Sequence, residues 1–368
     1  MTKQFDVIII GGGATGAGVA RDCSLRGIRA LLLERGDIAT GATGRNHGLL
    51  HSGARYAVTD RESAEECIKE NMILRRIASH CVEQTDGLFL SLPEDGLEFQ
   101  AKFVEACRAA GIRADVIDPK EALRLEPSAN PAMVGAVRVP DGAVDPFRLT
   151  AANVIDAKAH GAEVLTYHEV LDFLREQNRI TGVKVLDRKT GQTAEYRAQV
   201  VVNAGGIWGH DIARKAGVTV NMLPAKGSLL IFGHRVNNIV LNRCRKPADA
   251  DILVPGDTIS LIGTTSSKVP FDEVDDMYVT ADEVDLRRRT RVGMGTCQGE
   301  LCACRAAGLM AEAGKYCVRR AKEDLTAFLN ERWKGMAPVA WGDTLRESEF
   351  TMWLYDGVCG LTSANNTK

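Results

Sequence analysis

The sequence predicts an α/β protein with a parallel sheet near its N-terminus, and three observations support this prediction. The apolar run at residues 7–10 has the composition of a buried strand and passes directly into a glycine-rich turn at residues 11–18. Residues 19–26 have the character of a helix that stops at the following glycine. A second apolar run at residues 30–33 is closed by Glu34. This order of strand, turn, helix, strand and acid within about 30 residues is typical of a βαβ unit that binds a dinucleotide.

The glycines of this turn have separate expected roles. Gly11 lets the chain turn off the strand, Gly13 leaves room for a pyrophosphate, and Gly16 allows close packing of helix on strand. The N-terminus of the helix offers free N–H groups and partial positive charge to the phosphates. Glu34 is placed to bind a ribose 2′-hydroxyl, which disfavours NADP. An ordinary glycine turn without a ligand is the alternative.

Composition limits the possible classes of function. The 368 residues are 45% hydrophobic and 26% charged, which suffices for two globular domains. The net charge of −2 gives no support for nucleic-acid binding. Because no apolar run reaches about 18 residues and the first strand starts almost at the N-terminus, we expect a cytoplasmic protein without membrane span or signal peptide. The ten cysteines are therefore expected to be thiols or metal ligands.

The segment at residues 37–56 predicts a functional loop. It is dense in small, polar and glycine residues and holds two histidines and two arginines. Small residues let the backbone approach a flat ring, whereas arginine and histidine can serve an anionic substrate and a proton. A solvated surface loop is the alternative.

Further along the chain the periodicity first favours helices and then strands. Helices are expected at 60–80, at 101–110, after the capping residue Asp118, and from Asp145 to about residue 160. Strands are expected at 164–170, 180–186, 194–197 and 200–203, and again within 222–232 and 252–265.

This order of elements predicts a discontinuous domain organisation. A nucleotide-binding domain is expected from about 1–60 and 150–210, with Ala204 and Gly205 beside the cofactor. A substrate domain is expected from about 80–145 and 210–280. The hydroxyls of Thr264 and Thr265 can contact a polar ligand there, and an ordinary strand edge is an equal alternative.

Six segments carry a resemblance to a known family. DVIIIGGGATGAGVARD, ERGDIATGATGRNHGLLHSGARY, VPDGAVDPFRLTAAN, VVNAGGIWG, PAKGSLLIF and DILVPGDTISLIGTTS resemble the FAD-dependent glycerol-3-phosphate dehydrogenases, and most closely the large subunit of the bacterial anaerobic enzyme. The resemblance implies a Rossmann-type FAD-binding domain of the glutathione-reductase-like (DAO) kind with an antiparallel substrate domain, together spanning 1–285. It also implies oxidation of sn-glycerol 3-phosphate to dihydroxyacetone phosphate in anaerobic respiration. Electrons would pass towards membrane quinone, and other subunits would hold the chain at the inner face of the membrane.

The resemblance also implies roles for particular residues. Arg55 and its neighbour Tyr56 are expected to face the substrate, because a planar guanidinium suits a phosphate or a developing alkoxide. His47 and His51 are the candidates to accept the substrate's hydroxyl proton, with packing or a flavin contact as the alternative for each. The expected FAD-binding residues are Gly11, Gly13, Ala14, Thr15, Gly16, Glu34, Arg35, Thr40, Gly41, Ala42, Thr43, Gly44, Arg45, Asn46, Gly48 and Leu49.

The C-terminal part resembles the same large subunit only in pieces. Residues 286–302 are similar to the second half of its small BFD-like [2Fe–2S] module, so 286–368 is expected to be a helical remnant of that module. Cys297 and Cys302 have a spacing that can hold two corners of a cluster. The family's earlier C-x-C pair has no counterpart before Cys297, so we expect no stable cluster.

A long family stretch is missing near Asp285, which makes the chain an internally shortened copy. In the family this stretch closes over the flavin and holds an arginine and a lysine that bind the substrate phosphate. Two alternatives to a working dehydrogenase therefore remain: a degenerate flavoprotein or assembly subunit without turnover, and a flavin oxidoreductase for another small hydroxy or amino acid. The basic run at 287–291 is expected to be a solvated face or a contact with a partner subunit.

Overall fold

The computed structural model describes residues 3–248 and 251–275. The helices within these residues are α1 (Ala14–Leu25), α2 (Arg61–Ile77), α3 (Glu98–Ala109), α4 (Pro119–Leu125), α5 (Pro146–Ala159) and α6 (Gly209–Lys215). The strands within them are β1 (Lys3–Ile10), β2 (Ala30–Glu34), β3 (Leu49–Leu50), β4 (Val82–Glu83), β5 (Gly87–Ser91), β6 (Asp115–Ile117), β7 (Gly135–Val139), β8 (Gly142–Val144), β9 (Glu163–Thr166), β10 (His168–Glu176), β11 (Arg179–Asp187), β12 (Thr193–Asn203), β13 (Ala225–Lys226), β14 (Leu229–Ile231), β15 (Val240–Arg243), β16 (Ile252–Gly256), β17 (Ile259–Gly263) and β18 (Ser267–Lys268).

A six-stranded sheet in the order β10-β11-β12-β1-β2-β9 contains the N-terminal βαβ unit. Strand β1 lies between β12 and β2 and runs parallel to both. Its side chains alternate between two buried layers: Ile8 packs with Leu31 and Val183, and Ile9 packs with Leu32 and Ala157 of α5. Burial on both faces explains why this strand is an unbroken apolar run.

Two strand predictions in this sheet need correction. The strand expected at 164–170 is two strands, β9 and β10, because Tyr167 between them adopts a left-handed conformation with φ of 59° that an extended strand cannot continue through. The strands expected at 194–197 and 200–203 are one continuous strand, β12, which pairs with β11 through its first half and with β1 along most of its length.

A seven-stranded sheet has the order β14-β17-β16-β15-β5-β7-β6. The expectation of an antiparallel substrate domain is wrong for one pair, since β15 runs parallel to β5. These two strands are far apart in sequence and are not joined by a hairpin, so nothing forces them to be antiparallel. A three-stranded sheet, β3-β8-β4, and the pair β13-β18 complete the strands of residues 3–248 and 251–275.

The segment that carries the predicted functional loop packs onto the seven-stranded sheet. Leu49 contacts the cluster formed with Val240 and Val254, whereas Ala54 packs with Phe89 and Cys244. The sheet therefore fixes both ends of the stretch that contains His51.

Helix α2 behind this stretch begins after Asp60, whose side chain accepts a hydrogen bond from the Ser63 N–H. The expectation that Ile77 lies on the buried face of α2 is wrong, because the side chain is half exposed. The buried position on that face is Asn71 instead. Within the ranges described above, no helix combines the length and apolar character needed to cross a membrane.

Candidate active site

The glycine turn between β1 and α1 is closely packed. Gly11 has φ of 113°, and a side chain on it would collide with the carbonyl group of Ala204. A side chain on Gly16 would collide with the carbonyl oxygen of Gly11, so the start of α1 lies directly against the turn. The structure thus places Ala204 and Gly205, at the end of β12, beside the glycine turn.

Glu34 lies at the end of β2 and faces the same turn. One carboxylate oxygen accepts a hydrogen bond from the Gly12 N–H at 2.6 Å, and the other accepts from the Gly36 N–H at 2.8 Å. Carboxylate oxygens accept more than one hydrogen bond, so both retain capacity for a ribose hydroxyl. Arg35 points elsewhere: its guanidinium stacks at 4.1 Å over the Trp208 ring and pairs with Asp275 at 3.3 Å.

The loop after β2 contacts the start of α1. Gly13, which precedes the helix, has no side chain to cap it. Instead, the Ala14 N–H donates to the hydroxyl oxygen of Thr43 at 3.0 Å. A phosphate oxygen accepts from the same kind of N–H group in dinucleotide sites, so this end of the helix fits a pyrophosphate.

The remaining predicted cofactor residues of this loop occupy several environments. Asn46 folds the loop onto itself, since its amide donates to the Thr43 carbonyl at 2.6 Å and accepts from the Gly48 N–H at 2.7 Å. Gly41 lies against the Trp208 ring. Leu49 is buried, whereas Arg45 and the helix residues Ala14 and Thr15 are exposed. The hydroxyl of Thr40 donates to the Asp37 carbonyl, Ala42 starts a short 3₁₀ turn, and Gly44 packs on Phe147.

His47 and His51 lie close together with Tyr56. The ring centroids of the two histidines are 6.2 Å apart, and those of His51 and Tyr56 are 5.5 Å apart. Burial, together with nearby Arg55, lowers the pKa of each histidine from its ordinary value of 6.5 to about 4. Both rings are therefore neutral at neutral pH.

The two histidines differ in their hydrogen bonds. The Leu49 N–H donates to Nδ1 of His47 at 3.2 Å, so the lone pair of that nitrogen is engaged and the proton of the neutral ring is on Nε2. In the part of the chain that the structure describes, neither ring nitrogen of His51 has a hydrogen-bond partner. His51 therefore keeps a free lone pair, and His47 does not.

Arg55 is the central cation of the site. Its guanidinium donates to the Ala248 carbonyl at 2.8 Å, and burial lowers its pKa. The nearest acidic group that acts on it, Asp251, is bound instead by Arg245 at 2.6 and 3.3 Å. Two guanidinium groups thus share one carboxylate, and most donors of Arg55 are available to an anion.

The strand register brings one predicted threonine to this cluster. Ile252 of β16 pairs with Gly263 of β17, so Asp251 and Thr264, the residues just beyond that pair, lie at the same edge of the sheet. Thr264 is exposed there. The hydroxyl oxygen of Thr265 accepts from the Ser228 N–H at 2.9 Å and joins β17 to the segment before β14.

A buried polar network behind the loop was not predicted from the sequence. The Ser52 N–H and hydroxyl each donate at 2.7 Å to one oxygen of Asp141, whose pKa is raised by burial. The Asn71 amide donates at 3.1 Å to the carbonyls of Leu50 and His51. These bonds fix the backbone that carries His51. A single asparagine in phase with the buried face of α2 was the only sequence signal for it.

Arg75 extends this network. Its guanidinium donates to Asn71 Oδ1 at 2.7 Å and to the carbonyls of Pro140 and Asp141 at 3.0 and 2.7 Å. The polar groups behind the loop are thereby linked to the surface of α2.

Asn242 was also missed. It is 3% exposed, and its amide nitrogen and oxygen have no hydrogen-bond partner in the described part of the chain. Residues alternate between faces along β15, so it shares a face with Val240, which packs on Leu49. An unpaired buried amide therefore lies under the loop.

A dinucleotide cradle beside two neutral histidines and a buried arginine defines the class as a flavin-dependent oxidoreductase. The model of the FAD dependent oxidoreductase (DAO) family matches residues 6–358. The chain is 46% identical over 529 residues to the large subunit of anaerobic glycerol-3-phosphate dehydrogenase from Escherichia coli (strain K12), with 98% of each chain covered. It therefore belongs to the family of FAD-dependent glycerol-3-phosphate dehydrogenases, and within that family to the large subunits of the anaerobic enzyme.

Solved structures show the same fold. L-proline dehydrogenase from P. horikoshii has a TM-score of 0.66 at 23% identity and covers 79% of this chain and 76% of its own. Glycerol-3-phosphate dehydrogenase from Bacillus halodurans, complexed with FAD, has a TM-score of 0.57 at 24% identity and covers 77% of this chain and 51% of its own.

The alignment with the E. coli relative also bears on the internal shortening. It extends over 529 residues, whereas this chain has 368, so the relative carries a long stretch without counterpart here. The predicted iron–sulfur residues Cys297 and Cys302 lie outside the described residues, and the incomplete cluster stays a prediction.

Proposed function

We propose that this chain oxidises sn-glycerol 3-phosphate to dihydroxyacetone phosphate with FAD and passes the electrons, through partner subunits, towards membrane quinone in anaerobic respiration. The observation that carries the proposal is Arg55, a largely buried guanidinium whose hydrogen bond goes to a backbone carbonyl. A buried cation without its own carboxylate is costly, and a phosphate monoester is a suitable counterion. We place the chain in the cytoplasm, peripheral to the membrane through its partners.

In this proposal the six-stranded sheet binds FAD through residues within 1–60 and 150–210. The backbone from Gly11 to Gly16 would hold the pyrophosphate, Glu34 the ribose, and Thr40 to Leu49 the flavin, with Ala204 and Gly205 beside it. Bound FAD supplies a hydride acceptor. Residues within 80–145 and 210–280 cover the substrate.

The substrate phosphate would bind Arg55, with Arg245 as a second cation held in place by Asp251. Thr264 and Tyr56 provide hydroxyls at the same edge of the site. A planar guanidinium binds two phosphate oxygens at once, which orients the glycerol carbons as well as holding the charge.

His51 is the better candidate to accept the hydroxyl proton. When the carbon-bound hydrogen leaves the substrate as hydride, the hydroxyl proton needs an acceptor with a free lone pair. His51 has one, whereas Nδ1 of His47 is occupied by the Leu49 N–H. A phosphate dianion on Arg55 would offset the positive charge that lowers the pKa of His51, so substrate binding makes His51 a stronger base.

The test is an anaerobic titration of the purified protein with sn-glycerol 3-phosphate, followed by flavin absorbance. We expect bleaching of the flavin band, a large loss of the reduction rate in His51→Gln, and a small loss in His47→Gln. Arg55→Met should raise the substrate concentration needed by at least tenfold, since a charge-assisted pair is lost. Equal losses in the two histidine variants would contradict the assignment of His51.

The same titration distinguishes the alternatives. A flavin that ignores glycerol 3-phosphate but is reduced by another hydroxy or amino acid would identify a different oxidoreductase. The alternative without turnover is supported by the shortened alignment, because the family's closing segment is absent. Bound flavin that no substrate reduces, or no bound flavin, would overturn the proposed dehydrogenase activity.

A further inference from the structure

We propose that an arginine-lined groove on helix α2 is the docking surface for an acidic, apolar segment of a partner subunit. The proposal rests on the proposed function only in assuming that partner subunits exist. The groove encloses about 790 Å³ and is lined by residues of α2, of the segment before β5, of the β7 end and of the segment before β6. The lining includes Arg75, Arg76, Arg113 and Arg138 against a single acidic residue, Asp86.

The four arginines are not equally available. Arg138 is bound to Asp86, and Arg75 spends its donors on Asn71 and on backbone carbonyls. Arg113 contacts only an exposed carboxylate at 3.2 Å, and Arg76 has no hydrogen bond or ion pair within residues 3–248 and 251–275. The groove therefore presents uncompensated positive charge at its rim, which attracts carboxylates.

The same surface is apolar between these charges. Met72 is 57% exposed, and Ile73 and Ile77 are exposed beside it on the outer face of α2. Residues four apart on a helix are neighbours, so Met72 lies next to Arg76, and Ile73 next to Ile77. A methionine and two isoleucines on the outer face of a helix stabilise nothing in this chain.

The composition favours a protein partner over a small anion or a membrane. Arginine and methionine are enriched in protein interfaces and lysine is depleted, and the groove has four arginines and no lysine. The exposure of Met72 and Arg76 makes the groove open, unlike a pocket that encloses a small ligand. The matching partner is a segment with carboxylates flanking apolar side chains.

The position of the groove links it to the proposed active site. Arg75 lines the groove and also donates to Asn71, whose amide holds the carbonyl of His51. A partner docked here lies behind the loop that carries His51, on the side away from the glycine turn. Docking therefore leaves the cofactor cradle open, and Arg76 and Met72 can be changed without altering that cradle.

The experiment expresses this chain together with its partner subunits and places a photo-crosslinking p-benzoyl-phenylalanine at Met72. We expect a crosslink to a partner subunit, mapped by mass spectrometry to an acidic segment. The same residue at Leu25, exposed at the end of α1, is the matched control and should give no such crosslink. The double variant Arg76→Glu/Arg113→Glu should weaken partner binding at least tenfold, whereas Arg26→Glu on α1 should leave it unchanged.

The other outcomes overturn the proposal. These are a crosslink to a second copy of this chain or to its own residues, binding to vesicles containing anionic lipid that the double variant abolishes, and full retention of the partner by the double variant. Flavin content and reduction by glycerol 3-phosphate are measured on the same preparations. A crosslink to a partner without reduction would refute the dehydrogenase activity alone, and reduction without the crosslink would refute the docking surface alone.

Discussion

Acidification should destabilise this protein through His47 and His51. Burial sets the pKa of both at about 4, against 6.5 in an exposed ring. Between these values the unfolded chain binds protons that the folded chain does not. The stabilisation from keeping the rings neutral is therefore fully present above pH 6.5 and is lost as the pH falls towards 4.

The magnitude follows from the size of the shift. A difference of about 2.5 pKa units corresponds to about 3 kcal/mol for one histidine, taken as an upper limit. Solvent reaches part of each ring, and this screening reduces the effect. We therefore expect the pair to contribute about 2–4 kcal/mol to the free energy of unfolding at pH 7 that is absent at pH 4.

The assay is urea unfolding between pH 7 and pH 4.5 for the unmodified protein and for His47→Gln/His51→Gln. The difference between the two isolates the histidines from other groups. Burial raises the pKa of Asp141, for example, so its protonation favours the folded state as the pH falls, in the opposite direction. His160→Gln, on an exposed ring, is the control. The reasoning fails if the double variant loses as much stability on acidification as the unmodified protein.

Three further changes test the packing of the site. Gly16→Ala should abolish flavin binding, measured by bound absorbance, because its methyl group would collide with the turn, whereas Gly18→Ala, with open space around it, should stabilise α1 by about 0.5–1 kcal/mol. Asn242→Leu should raise the free energy of unfolding by about 1–3 kcal/mol, because it removes an unpaired buried amide; a decrease would show that the amide has a partner. Asp141→Ala should cost about 2–4 kcal/mol in urea unfolding by leaving Ser52 unpaired, and Asp141→Asn less, since it keeps an acceptor.

Features that depend on neighbours in sequence were predictable. The caps Asp118 and Asp145 are confirmed: each side chain accepts backbone N–H bonds at the start of its helix. Helix α1 and the strands around it were also predicted, because the apolar runs and the glycines determine them locally. The residue types of the cofactor turn carry their own geometric requirement, which made Gly11 and Gly16 recognisable.

Features that depend on distant contacts were not predictable. Strands β5, β7 and β15 were missed, because each is short and is stabilised by partners remote in sequence. The network of Asp141 and Asn71 was missed for the same reason, since the sequence shows neither burial nor the carbonyls that an amide will meet. The difference between His47 and His51 likewise depends on one backbone N–H that only the folded loop brings to Nδ1.

The charges around Arg55 bear on what a shortened family member can still bind. In the family resemblance, an arginine and a lysine of the missing stretch also bind the substrate phosphate. The remaining cluster has Arg55 and Arg245 against Asp251, so it retains one uncompensated positive charge close to the site. One guanidinium with free donors can bind a phosphate, but with fewer charge-assisted bonds than a set of three cations. Loss of the closing stretch should therefore weaken the binding of glycerol 3-phosphate more than that of FAD, whose pyrophosphate contacts come from the backbone around Gly11 and the start of α1.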